Sequence, residues 1–133
     1  MTEKQLVELA IDARKHSYSP YSNFKVGAAL LMANGDLICG ANIENSSYGL
    51  CNCAERSALF QAYSRGYRKD DIKMMAIVAD TEGPCSPCGA CRQVMSELLN
   101  RDTKVVLGNL KGDILVTTPE ELLPFAFSGD DLK

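Results

Sequence analysis

Residues 51–56 read Cys-Asn-Cys-Ala-Glu-Arg, and residues 87–91 read Pro-Cys-Gly-Ala-Cys. Apolar residues follow each stretch at helical spacing, so each pair of thiols stands at the entrance to a helix. A helix N-terminus presents unpaired N–H groups and a partial positive charge, and both favour a thiolate. Two such ends aimed at one point make a site for zinc, which takes sulfur and nitrogen ligands in a tetrahedral shell. Two versions fit the spacing. A closed structural site uses Cys51, Cys53, Cys88 and Cys91. A catalytic site uses three protein ligands, leaves one position open to water, and needs an acid/base group beside the metal but not bound to it. Glu55, two residues after Cys53, fits that role, although the macrodipole alone also favours a glutamate at a helix start. Its placement between a cysteine and a Pro-Cys-x-x-Cys run favours the catalytic version. A redox pair at Cys88 and Cys91 is disfavoured by Pro87 and by the second thiol cluster. A ligand set of Cys85, Cys88 and Cys91 would leave Glu55 without a metal nearby. His16 is the only histidine; it falls late in the first helix and is not needed as a ligand.

Three thiolates leave the zinc centre with net negative charge, which weakens the acidity it confers on water. Arg56 lies three positions after Cys53, close to the same face of the helix. Hydrogen bonds from its guanidinium to ligand sulfur would draw charge back. On the residues alone it reads equally well as a surface arginine.

The elements that must hold these residues follow from patterning. "TEKQ" (2–5) is a capping box, and Leu6, Leu9, Ala10 and Ala13 form an apolar stripe, which gives a helix over 3–16. A loop over 17–23 leads to a strand over 24–32, a turn at 33–36 and a returning strand over 37–44. A helix runs from Cys53 to about Arg65 and stops at Gly66. A buried strand follows over 72–80, a loop over 81–89 and a helix over 90–100. Strands over 103–109 and 113–118 flank a turn at Lys111–Gly112. A short helix over 118–124 has Thr118 as its cap and Pro119 at its first position. This order gives an α/β domain with a mixed sheet covered by helices.

The chain has 133 residues, 46% of them hydrophobic and 23% charged, which suits one globular domain over 1–133. A net charge of −3 argues against a nucleic-acid backbone or an anionic membrane as partner. No basic, apolar leader opens the sequence, and no apolar run nears the roughly 20 residues of a membrane span. A cytoplasmic location is expected. Six cysteines in a reducing compartment point to metal or catalysis rather than to disulfides.

Zinc-dependent base deaminases carry a ligand-x-Glu and a Pro-Cys-x-x-Cys signature, in some cases with three cysteines. "CAE" (53–55) and "PCGAC" (87–91) match it. Beyond that signature, the chain resembles the small homotetrameric cytidine deaminases along nearly its whole length. The resemblance rests on "YSPYSNFKVGAAL" (18–30), "GANIENSSYG" (40–49), "CAERSAL" (53–59), "SPCGACRQV" (86–94) and "ELLPFAF" (121–127). It implies a three-layer α/β/α sandwich with a mixed five-stranded sheet. It also implies one zinc per chain on Cys53, Cys88 and Cys91, Glu55 as the catalytic proton shuttle, and Arg56 for charge compensation.

The same resemblance places Asn42 and Glu44 on the ribose 3′-hydroxyl, Phe24 against the nucleoside and the Ala54 backbone on the pyrimidine. From patterning alone, Asn42 and Glu44 are simply the polar side of a half-buried strand. Phe127 is implied to reach a neighbouring subunit's pocket, with Phe125 in the same "PFAF" run as its rival. The implied reaction is hydrolytic deamination of cytidine and deoxycytidine in pyrimidine salvage, by a homotetramer with shared pockets. Alternatives are a deaminase of another aminated nucleoside such as blasticidin S, or a structural zinc module; Asn42, Glu44 and Phe24 favour a plain nucleoside. Cys39, Cys51 and Cys85 are read as a core thiol, a near-site thiol and a loop thiol.

Overall fold

The computed structural model describes residues 1–132; Lys133, the last position of the expected domain, lies outside them. Helix α1 (Glu3–Ala13) starts at the expected capping box. The Thr2 hydroxyl accepts from the Gln5 amide, and the Gln5 side chain accepts from the Thr2 amide. Its last turn tightens into a 3₁₀ segment at Arg14–His16. Strands β1 (Val26–Met32) and β2 (Leu37–Ala41) form an antiparallel hairpin. Helix α2 (Ala54–Ser64), strand β3 (Ile72–Ala79), helix α3 (Gly89–Leu98) and strand β4 (Lys104–Asn109) follow. Strand β5 (Ile114–Thr117) and the short helix α4 (Pro119–Leu122) complete the order. The Thr118 side chain caps α4 by accepting from the Glu121 amide.

The sheet order is β2-β1-β3-β4-β5, and only the β3–β4 pair is parallel. A parallel pair needs a crossover, and α3 supplies it. Strand β3 is apolar on both faces because both are covered. Met75, Ile77 and Ala79 pack on the side of α2 and α3, while Met74, Ala76 and Val78 pack on the side of α1. This alternation gives the three layers.

Two glycines set how closely the layers approach. A Cβ on Gly27 of β1 would stand 2.0 Å from the Ala10 carbonyl oxygen of α1. A Cβ on Gly40 of β2 would stand 2.6 Å from the Ala58 nitrogen of α2. Helix α2 buries mainly small residues, Ala54, Ala58 and Ala62 among them, so it can lie against β2 at that distance.

Strand ends differ from the expectation. The first strand begins at Val26 rather than Phe24, and the second ends at Ala41 rather than Glu44. Beyond those limits the chain pairs with itself through isolated bridges, Tyr18 with Ile43 and Ile43 with Asn52. Phe24, Asn42 and Glu44 therefore belong to irregular backbone at the strand ends. Side chains hold that backbone, as described below. Cys39 is also not a core thiol: it is exposed on β2, and the buried one of the three extra cysteines is Cys85.

Candidate metal centre and active site

Helices α2 and α3 begin with cysteines at their N-cap positions. Cys53 caps α2 in an extended conformation without using its side chain on the helix. Cys88 caps α3, and its sulfur accepts from the Cys91 amide at 3.4 Å. Cys91, one turn into α3, is fully buried. The two helix starts converge, so the Cys53 and Cys88 sulfurs are 4.0 Å apart and all three sulfurs lie within 4.8 Å of one another. Sulfurs bound to one tetrahedral zinc at about 2.3 Å stand about 3.8 Å apart, so the three thiols fit that ion with small movements. Cys51 is not part of the group. Its sulfur accepts from the Asn45 amide at 3.2 Å, which turns it toward the preceding loop. The closed four-cysteine version therefore lacks its fourth thiol.

The chemistry of the donors also fits a cation. In the metal-free chain, hydrogen bonding from the Cys91 thiol pulls the Cys53 pKa down to about 5, with Arg56 adding to the effect. Cys91 is pushed up, first by that same bond and then by burial. The cluster thus holds a ready thiolate and a thiol that a metal would deprotonate. An Arg56 guanidinium nitrogen donates to the Cys53 sulfur at 3.3 Å, and that bond raises the arginine's own pKa further. The Arg56 Nε is buried with no protein partner.

Glu55 is only 4% exposed. Burial raises its carboxyl pKa, and the negative charge at Cys53 adds to the rise. The neighbouring Cys91 thiol has a smaller, opposite effect. Cys85, on the loop before α3, is buried next to this carboxylate; burial first and Glu55 second push its thiol up to about 11. Ala54 has no exposed surface, so its side chain belongs to the core.

Asn42 and Glu44 hold the loop that ends in Phe24. The Asn42 carboxamide oxygen accepts from the Ser17 hydroxyl and from the Val26 amide, and its nitrogen donates to the Phe24 carbonyl. Glu44 accepts from the Tyr21 and Ser22 amides and from the Ser22 hydroxyl. These contacts keep its pKa below the usual carboxylate range, the Ser22 hydroxyl contributing most. Phe24 itself is 45% exposed.

Phe127 lies elsewhere. Its carbonyl accepts from Gln93, and the residue lines a cavity of about 400 Å³ with Lys69, Ser96, Glu97, Leu99, Asn100 and Arg101; no residue of the thiol cluster lines it. The structure does not bring Phe127 to the thiol cluster of its own chain. Phe125 is wholly exposed.

One positioning residue was not foreseen from the sequence. Arg92 donates to the Pro87 carbonyl, the Ser86 hydroxyl and the Leu122 carbonyl. A single guanidinium therefore ties the loop that carries Cys88 to the C-terminal segment. No local pattern marks such a residue, because one of its partners is 30 positions away.

The match to known proteins agrees with this geometry. Residues 1–109 fit the family described as the cytidine and deoxycytidylate deaminase zinc-binding region. A cytidine deaminase of Halalkalibacterium halodurans is 61% identical over 133 residues, which is 100% of this chain and 99% of that one. A cytidine deaminase of Sporosarcina psychrophila is 54% identical over 100% of this chain and 96% of its own length. The crystal structure of cytidine deaminase from Burkholderia pseudomallei superposes with a TM-score of 0.93 at 55% identity, over 96% of this chain and all of that one. With zinc-compatible thiols at two converging helix starts and relatives of this similarity along its length, the chain belongs to the cytidine and deoxycytidylate deaminase family.

Proposed function

We propose that this chain, acting as one domain, hydrolyses cytidine and deoxycytidine to uridine and deoxyuridine with release of ammonia, in pyrimidine salvage in the cytoplasm. The observation that carries the reading is the convergence of Cys53, Cys88 and Cys91 beside a buried glutamate, with Cys51 turned away. Cys53, Cys88 and Cys91 would hold the zinc, which would supply Lewis acidity that lowers the pKa of water toward about 7. Glu55 takes the proton of the attacking water and delivers it to N3 of the base, which makes C4 electrophilic. It later moves a proton to the departing amine, which leaves as ammonia. A carboxyl group with a raised pKa suits a residue that both accepts and returns a proton. The Arg56 hydrogen bond to Cys53 reduces the electron density that this sulfur offers the metal.

The remaining contacts position the substrate. Asn42 and Glu44 hold the ribose 3′-hydroxyl, Phe24 lies against the nucleoside, and the Ala54 backbone meets the pyrimidine. The reading includes a homotetramer in which Phe127 completes a neighbour's pocket. Support comes from the placement of Phe127 away from its own thiol cluster, at 57% exposure. Support also comes from the outward side of α2 and α3, where the exposed Phe60 lines a cavity of about 250 Å³ with Val94 and Leu98.

The test is an ultraviolet assay of cytidine conversion on a preparation whose zinc is quantified per chain. Turnover with one zinc per chain, retained in Cys51→Ser, is expected. A four-sulfur shell that includes Cys51, with no turnover, would overturn the proposal.

A further inference from the structure

The hydrogen bonds around Asn42 and Glu44 leave a definite remainder. A carboxylate offers about four lone-pair sites and a carboxamide oxygen about two. Both Asn42 oxygen sites are taken, by the Ser17 hydroxyl and the Val26 amide. One Asn42 N–H is taken by the Phe24 carbonyl, which leaves one N–H. Glu44 Oε1 accepts two amides, from Tyr21 and Ser22, and Oε2 accepts the Ser22 hydroxyl, which leaves one acceptor site on Oε2. The Asn42 amide cannot turn over, because the Val26 N–H only donates and the Phe24 carbonyl only accepts. The pair therefore presents one donor and one acceptor. That is the complement of a single hydroxyl, which accepts from Asn42 and donates to Glu44.

We propose that Ser22, supported by Ser17, is a positioning residue that sets the Asn42–Glu44 pair to receive one sugar hydroxyl. This rests on the reading of that pair as the ribose contact. The Ser22 hydroxyl donates to Glu44 and accepts from the Phe24 amide at 3.0 Å, so one group fixes both the carboxylate and the backbone of the aromatic residue beside it. Removing it opens a second acceptor site on Oε2 and frees the Phe24 amide. Removing the Ser17 hydroxyl opens an acceptor site on Asn42. In both cases the pair no longer matches one hydroxyl. Neither serine is among the groups assigned to the reacting base, so binding of the sugar is expected to change and the chemical step is not.

The experiment compares kcat/KM on cytidine and 3′-deoxycytidine for the zinc-loaded wild type, Ser22→Ala, Ser22→Thr and Ser17→Ala. The wild type is expected to favour cytidine. Ser22→Ala is expected to shrink that preference about tenfold, the scale of one hydrogen bond to a charged group, through a raised KM for cytidine with kcat nearly unchanged. Ser22→Thr, which keeps the hydroxyl, should restore the preference, and Ser17→Ala should lower it in the same direction. An unchanged ratio in Ser22→Ala, whether both substrates lose activity or neither does, overturns the proposal and leaves the ribose reading standing. A wild type indifferent to the 3′-hydroxyl overturns that reading and the proposal together.

Discussion

Glu55 shows how environment changes the titration of a common residue. Many helices start with a glutamate in water, where the macrodipole keeps it ionised. Here burial outweighs that effect and raises the pKa. Glu55→Gln keeps the size of the side chain and removes no sulfur, so zinc content and cytidine affinity should stay near wild type. Turnover should fall by at least ~10²–10⁴, the usual contribution of one positioned acid/base group. Zinc stoichiometry, cytidine affinity and kcat on one preparation decide it, and near-normal kcat would remove Glu55 from the proton path. Glu44 behaves in the opposite way, because donors surround it and lower its pKa, the Ser22 hydroxyl most of all. Its hold on the loop is fully present above the unfolded carboxyl pKa and is lost as pH falls through the lower folded value. The amide protons of Tyr21 and Ser22 should therefore shift together in an NMR titration, with a midpoint below the usual glutamate range that disappears in Glu44→Gln. A midpoint above that range would mean that the donors do not favour the carboxylate.

At the scale of elements, the site depends on how closely α2 approaches the sheet. Gly40 permits that approach, since any Cβ there would stand within 2.6 Å of the α2 backbone. Backbone cannot move aside as a flexible side chain can. Gly40→Ala should push α2 outward and destabilise the fold by about 1–3 kcal/mol, the typical cost of overpacking. Because Cys53 caps α2 and Glu55 lies in its first turn, the same change should speed zinc release to a chelator. Denaturation midpoints and chelator kinetics test both parts; a variant as stable as wild type would show that α2 has room to spare. Arg92 acts at the same scale on the other helix. Its three hydrogen bonds place the Cys88 loop relative to α4, so the position of one metal ligand depends on the C-terminal segment.

For the whole molecule, the arrangement of Phe127 bears on assembly. In its own chain the residue borders a cavity beside the later part of α3, and no residue of the thiol cluster lines that cavity. Phe127→Ala should raise KM for cytidine more than it lowers kcat. Chains carrying Phe127→Ala and chains carrying Glu55→Gln should each be impaired alone. If the proposed tetramer with shared pockets holds, mixed assemblies made by dissociation and reassembly should regain activity, because some pockets then combine an intact Glu55 with an intact neighbouring Phe127. No recovery in verified mixed tetramers would assign the ring to its own subunit, or the shared role to Phe125. No helix among the described residues is long and apolar enough to cross a membrane.

The order of helices and strands was legible in the sequence because it rests on local rules. The Thr2–Gln5 capping box, the Thr118 cap before Pro119 and the doubly apolar β3 each signal their structure within a few residues. The zinc thiols were legible for the same reason, since their chemistry is tied to helix starts that local patterning reveals. Element ends were less legible. Strands were expected to run through Phe24 and to Glu44, but loop 17–25 crosses residues 42–44 and competes for their backbone and side-chain hydrogen bonds. That competition joins positions about twenty residues apart, and no window of sequence contains it. Burial of Cys85 beside Glu55, exposure of Cys39, the detour of Cys51 to Asn45 and the Arg92 clamp were also set by packing. Sequence alone supplied the residues able to bind zinc and move a proton. Only the tertiary structure decided which thiols meet, because that depends on two helix ends converging from separate layers of contacts on the same side of one sheet.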